Sequence, residues 1–225
     1  MNCVNLNNEL SVIIVSGLEV KGFLQGQLTN DINLLDNQPF QYSAYLNTKG
    51  RMLASFWVKK VADNQYYLIT SKAIVDKLIL KLRMYILRAK VTIEKLATNI
   101  YFTDDISSFT SSINIPIAYN RYIVITNNII DSINQTIDYF KQTIIENGIA
   151  IIYPETQEQL IPQHVNYDEL GGLNFKKGCY LGQEIVARMH YLGKSKRKMY
   201  HFTTSHVVKI GQMVVSPQLN NQEVG

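Results

Sequence analysis

Apolar positions along the chain follow two rhythms, a two-residue alternation and a spacing near 3.6, arranged in blocks. Ser11-Val12-Ile13-Ile14-Val15-Ser16, a β-branched run closed by Gly17, predicts a buried strand. Leu18, Phe23, Leu24 and Leu28 recur at helical spacing and predict a helix ending at Thr29-Asn30-Asp31. Gly22 and Gly26 fall inside it, each at roughly 1 kcal/mol against alanine, which points to close backbone packing there. Residues 42–46, 52–61 and 66–70 predict three strands. Asn47-Thr48-Lys49-Gly50 and Ala62-Asp63-Asn64 join them as turns, giving an antiparallel meander.

Ser71 is placed to cap a helix over 72–87, with Ile74, Val75, Leu78, Leu82 and Tyr85 on its apolar face. Strands are predicted at 91–93, 100–103 and 122–126, with serine-rich 104–114 as a loop. Asp131 to Glu146 reads as an amphipathic helix on Ile133, Ile137, Phe140 and Ile144, stopped by Asn147-Gly148. Residues 149–175 form a long irregular connection broken by Pro154, Pro162 and Gly171-Gly172, a type that often carries function. A strand over 197–203 and the opening of a small β unit follow. Blocks of strands and helices joined by tight antiparallel turns predict an α+β fold.

The chain's 225 residues suffice for one large domain or two smaller ones. Its 46% hydrophobic and 18% charged content is that of a soluble globular protein, and no apolar run reaches the roughly 18 residues of a bilayer span. No cationic segment followed by an apolar core opens the chain, so no secretory signal is expected. The two cysteines, Cys3 and Cys179, lie in no metal-type cluster and suit a reducing, cytoplasmic setting. A net charge of +4 is modest, and no RNA-binding motif is visible, so direct nucleic-acid binding is not expected.

Chemistry concentrates in Lys176-Lys177-Gly178-Cys179-Tyr180-Leu181-Gly182-Gln183-Glu184-Ile185-Val186-Ala187-Arg188. The glycines predict a tight loop, and helix-compatible residues follow from Leu181. A thiol just before a helix start, beside two lysines, would have a lowered pKa. Two readings of Cys179 stand side by side, a small buried hydrophobe in a turn and a functional thiol. As a functional thiol it could be a nucleophile, a transient cluster or sulfur ligand, or a redox sensor. His164 and His190 are the histidines a Cys–His pair would draw on, and one cysteine cannot hold a stable cluster alone. The basic run Lys194-Ser195-Lys196-Arg197-Lys198 reads either as a solvated strand edge or as a contact for an anionic partner.

Lys177-Gly178-Cys179-Tyr180-Leu181-Gly182-Gln183-Glu184 resembles the K-G-C-Y-x-G-Q-E signature of the YgfZ-type folate-binding proteins, relatives of the glycine-cleavage aminomethyltransferase (T-protein). Phe23 to Asp31, Asn47 to Arg51, and Ile161-Pro162-Gln163 before Gly171-Gly172 match supporting blocks in the same order. The resemblance implies a ring of α+β units around a central folate-binding hole, with the C-terminal β-barrel absent or truncated. Residues 1–195 would form the folate-binding region, two intertwined units with a boundary near 104–115, and 196–225 the start of a truncated β unit. It further implies a cytoplasmic, monomeric accessory protein that binds tetrahydrofolate. Its partners would be iron–sulfur proteins or their assembly factors, including tRNA-methylthiolating enzymes.

The alternative implied is a folate-dependent one-carbon transferase. Ala54 and Ser55 stand where the transferase block carries carboxylates, which removes its acid–base group and disfavours aminomethyl transfer. Glu146 matches the glutamate that bonds the pterin edge, a pair of N–H donors suited to a carboxylate; Ile144 replaces that block's arginine. Phe140 is a candidate to stack on the pterin, or else to pack in the core. Lys177, Tyr180, Gln183, Glu184 and Arg188 are further candidate folate or partner contacts, and Cys179 the candidate functional thiol.

Overall fold

The computed structural model describes residues 1–193, 195, 197–209 and 211–223. Two antiparallel sheets take up most of the chain as far as Thr126. The first contains β2 (Leu10–Ser16), β3 (Gln41–Leu46), β4 (Met52–Ala62), β5 (Gln65–Ser71) and β6 (Thr92–Leu96), in the order β3-β4-β5-β2-β6. The second contains β1 (Cys3–Asn5), β7 (Asn99–Thr103), β8 (Ile113–Ala118) and β9 (Arg121–Thr126), in the order β1-β7-β9-β8. The chain changes sheets at Ala97 and Thr98, and the stretch 104–112 joins two strands of the second sheet.

The run Ser11 to Ser16 lacks polar alternation because β2 is covered on both faces. Ile13 and Val15 enter a core with α1 (Val20–Gln27) and α2 (Val75–Arg83), whose Phe23, Leu24, Val75, Leu78 and Leu82 close over Phe56, Val58 and Leu68. Val12, with Trp57 and Ile69, enters a second core shared with the other sheet, with Ile100, Phe102, Ile123 and Ile125. Helix α3 (Ile137–Glu146) closes that core with Phe140 and Ile144, Phe140 standing edge-on to Phe102 at 5.3 Å. A third cluster joins Ala44, Leu46 and Met52 to Ile152, Val165, Tyr167, Leu173, Tyr180 and Val186. It ties the irregular connection and α4 (Gln183–Leu192) to the edge of the first sheet.

The predicted meander is present as β3, β4 and β5, paired Tyr42 to Trp57 and Val58 to Leu68. Several expected elements differ. Helix α2 begins at Val75 with Ile74 as its cap residue, and Ser71 ends β5 instead; Tyr85 lies beyond the helix, exposed. Helix α3 begins six residues later than the pattern predicts. Asn134 and Gln135 donate their main-chain N–H groups to Cys3 O, and Asn134 Oδ1 accepts from Cys3 N, so this segment is tied to β1 and not coiled.

β1 and β8 were not predicted. No strand forms over 197–203, where Met199 O accepts instead from Asn166 Nδ2. Beyond it, among the described residues, lie β10 (Val215–Ser216) and β11 (Gln222–Glu223), a two-stranded ribbon joined through a 3-10 turn at Pro217–Leu219. Gly22 and Gly26 show no close approach, since a Cβ at either meets nothing within 4 Å. No helix among the described residues is long and apolar enough to cross a membrane.

Phe140→Ala is expected to cost about 3–5 kcal/mol, because the vacated volume faces Phe102 and cannot collapse. A urea midpoint that barely moves would show that the ring does not hold this core together.

Candidate functional site

The site is assembled from the turn after α1, the β3–β4 turn, the irregular connection and the start of α4. Thr29 and Asn30 follow α1 and are buried. Thr29 Oγ1 donates to Gly172 O (2.7 Å) and accepts from Ala44 N (2.8 Å), while Asn30 Nδ2 donates to Tyr42 O and Gly171 O. These are long-range bonds, and they pin the Gly171-Gly172 segment against the edge strand β3. Thr29 O accepts from Asn174 N, and Asn174 Oδ1 in turn accepts from Lys176 N and Lys177 N, an Asx turn that sets the entry to the octapeptide.

Lys177 is then turned inward. Its Nζ donates to Gln25 O (2.7 Å), Leu28 O (2.6 Å) and Asn30 O (2.9 Å), and it sits 5.1 Å from the Tyr180 ring centroid. Three N–H donors meet three carbonyls at the end of α1, where a helix presents unpaired acceptors and partial negative charge. Burial pulls the ammonium pKa down to about 8, opposed by the nearby Asp31 carboxylate. Burial pushes the Asp31 carboxyl up, but bonds from Asn33 and Gln25, with Lys177, hold it below its ordinary value. Tyr180 is buried in the third core, and burial raises its hydroxyl to about 12.

Between these two buried residues, Gly178 and Cys179 are exposed. The helix starts at Gln183, two residues later than the pattern suggests, and Gly182 is its cap residue at φ 78. A Cβ on Gly182 would lie 2.4 Å from Asn47 O and 3.0 Å from Gly50 Cα, so the β3–β4 turn packs directly on the helix start. The third block joins here too, as Gln163 Nε2 donates to Val186 O at 2.8 Å. The four blocks recognised in the sequence therefore meet at one place.

The other expected residues divide. Gln183 is half-buried and bonds Tyr180 O through its main chain, while Glu184 and Arg188 are exposed on α4. Lys177 and Tyr180 are withdrawn from solvent, Lys177 on main-chain carbonyls and Tyr180 in the third core. Phe140 is likewise 1% exposed in the second core, with no face open to a ligand. Glu146 is exposed at the end of α3, Oε1 accepting from Gln142 Nε2 at 2.7 Å. It lines a cleft of about 290 Å³ with Tyr119, Arg121, Tyr139 and Gln142, and a second of about 260 Å³ with Asn166, Met199 and Tyr200. Cys179 lines neither.

His190 stacks on Phe175 at 3.7 Å. His164 lines a cleft with Arg197 and Lys198, and burial, Arg197 and Arg51 hold its pKa below the usual value. Neither imidazole is hydrogen-bonded to Cys179 among the described residues. Of the basic run, Lys194 and Lys196 lie outside the described residues, and Lys198 pairs with Glu169. Ala54 is fully buried, and Ser55 Oγ accepts from Ile152 N at 2.9 Å. The sequence assigns no role to the Thr29, Asn30 or Gln163 side chains; Asn174, three residues before Lys177, is a turn signal that marks the entry to the octapeptide.

Lys177→Met, which orphans three carbonyls, is expected to cost about 2–4 kcal/mol in urea unfolding at neutral pH. The depressed pKa means the unfolded chain holds more protons between pH 8 and 10.5, so this group makes stability rise with pH across that window. Subtracting the Lys177→Met profile from that of the unaltered protein should isolate this slope; identical profiles would show that the ammonium is not desolvated.

No protein-family model matches the chain. An uncharacterized protein from Haemophilus influenzae is 29% identical over 212 residues, covering 92% of this chain and 76% of its own length. A protein named tRNA-modifying protein YgfZ, from Colwellia psychrerythraea, is 28% identical, covering 86% of this chain and 69% of its own. One of the same name from Hamiltonella defensa is 29% identical, with 89% and 69% covered. Among solved structures, the glycine cleavage system aminomethyltransferase T from Bartonella henselae aligns at TM-score 0.42 and 19% identity, over 45% of this chain and 28% of its own.

Proposed function

This chain is a relative of the YgfZ-type proteins, and on that premise we propose that it acts in tRNA modification, as a folate-binding accessory to the assembly or repair of iron–sulfur enzymes. One observation carries the reading: Cys179 is held at the surface by neighbours that are themselves buried, Lys177 on three carbonyls and Tyr180 in the third core. A cysteine used only for packing would be covered. This one is displayed on a loop whose conformation is fixed from beneath, suited to a thiol that meets another protein's sulfur or metal.

Tetrahydrofolate fits the residues present. The Glu146 carboxylate is exposed, engaged only by Gln142 among the described residues, and lies on the wall of a cleft whose volume of about 290 Å³ suits a bicyclic ring. Glu146 would accept the paired N–H groups of the aminopyrimidine edge. When bound, the folate would supply a one-carbon or reducing centre. The chain's own contribution is to bind and orient it.

Ser55 supports an accessory role over a one-carbon transferase. Its hydroxyl is committed to the Ile152 main chain, and Ala54 beside it offers no proton-transfer group.

Cys179→Ser is expected to fold with an unchanged melting point and to fail in restoring tRNA methylthiolation to a deletion strain. Full restoration would reduce the thiol to packing. Glu146→Gln is expected to weaken tetrahydrofolate binding at least about tenfold by calorimetry. A flat trace with the unaltered protein would remove the folate claim, and sustained methylene-tetrahydrofolate formation from an aminomethyl donor would favour the transferase.

A further inference from the structure

Helix α2 buries Val75, Leu78, Ile79 and Leu82, while Leu80 and Met84, four residues apart on its other side, are 63% and 73% exposed. The turn that continues the helix adds Tyr85 and then Leu87, at 89% exposure. Leu87 also has φ 49, a left-handed conformation that costs a branched residue about 1–2 kcal/mol. Burial does not compensate for that strain here, since the side chain stands in water. Isolated exposed leucines are ordinary, but several large aliphatic groups along one helix side and its turn form a patch of the kind that marks an interaction surface.

Among the described residues the charge around this patch is predominantly basic: Asp76, one turn before Leu80, is paired with Lys95, and Glu158 reaches only Lys81 of its cations. Lys77, Lys81, Arg83, Arg88 and Lys90 lie between residues 77 and 93, and that stretch contains no acidic residue. Arg83 is committed to Ile93 O, and Lys81 makes a loose pair with Glu158 at 3.6 Å. Lys77 and Arg88 have no acidic partner among the described residues. Aliphatic side chains flanked by lysine and arginine match a partner with a complementary pattern, an apolar stripe edged by carboxylates. RNA would be better served by aromatic stacking groups, and of the exposed large side chains here only Tyr85 is aromatic.

We propose that the outer face of α2 and its following turn dock an acidic amphipathic helix of a partner protein. Leu80, Met84 and Leu87 pack on its apolar stripe, and Lys77, Lys81 and Arg88 meet its flanking carboxylates. The proposal stands whether or not the Cys179 loop handles iron–sulfur chemistry.

The test uses the full chain and a fluorescein-labelled 18-residue peptide of leucine and glutamate arranged as an amphipathic helix. A scrambled peptide of equal charge is the control. Anisotropy should show binding that weakens with added salt, and the scrambled peptide should bind at least about tenfold more weakly. The triple variant Leu80→Ser, Met84→Ser, Leu87→Ser and the double variant Lys77→Glu, Lys81→Glu should each lose at least about tenfold in affinity. Among the described residues, none of these side chains except the loosely paired Lys81 makes a hydrogen bond or ion pair, so both variants should keep the melting point. Removing Leu87 alone, as Leu87→Gly, should raise it by relieving the strained backbone.

Equal binding by unaltered and triple-variant protein, or no binding by the unaltered protein at about 1 mM peptide, would overturn the proposal. So would triple-variant-sensitive binding to anionic phosphatidylglycerol vesicles or bulk tRNA in place of the peptide. Concentration-dependent self-association abolished by the triple variant would assign the face to a second copy instead.

Discussion

An ammonium group turned inward is the constraint on which the candidate site rests. Lys177 lies about 150 positions from the carbonyls of α1 and its following turn that it satisfies, and the bonds it makes there close the longest loop that the site depends on. Desolvating a lysine is costly unless its three donors are all taken. Here they are, by three main-chain acceptors and with an aromatic face alongside. The arrangement fixes the backbone on both sides of Gly178 and Cys179 without covering them. A rigid display of a small reactive group needs this combination, with anchorage immediately before and after and nothing above.

The same economy governs residues 54 and 55 of β4. A carboxylate at residue 55 would be enclosed, beside fully buried Ala54 and against the main chain of Ile152. Serine's hydroxyl instead accepts that N–H and secures the start of the irregular connection to β4. Tyr167, buried beneath, donates to Ser43 O at 3.4 Å and stacks edge-on to Tyr42, so the region is organised as a packed joint. Its chemistry is that of attachment, and the exposed side chains of Cys179 and Glu146 lie outside it.

The sheet meander and the location of the site were legible because the sequence marks them locally. Turn residues separate β3, β4 and β5, and the octapeptide carries two glycines around its thiol. What residues do within the site was not legible, because it depends on partners distant in sequence. Lys177 and Tyr180 look like contact residues until the carbonyls of Gln25, Leu28 and Asn30 are placed beneath them. Phe140 has the spacing of a helix face and nothing that says whether that face meets a ligand or Phe102. The start of α3 was misplaced for the same reason, since the pull of Cys3 on Asn134 and Gln135 has no local signature. A two-faced strand such as β2, by contrast, writes its burial on both sides into one unbroken apolar run.

The membership of β1 in the second sheet has a consequence for how the protein is made. Cys3, Val4 and Asn5 are synthesised well before their strand partners Thr103, Phe102 and Tyr101. The five-stranded sheet can close as soon as β6 is synthesised, whereas β1 must wait unpaired until β7 appears. A chaperone that held β1 during translation would delay one sheet and leave its neighbour untouched.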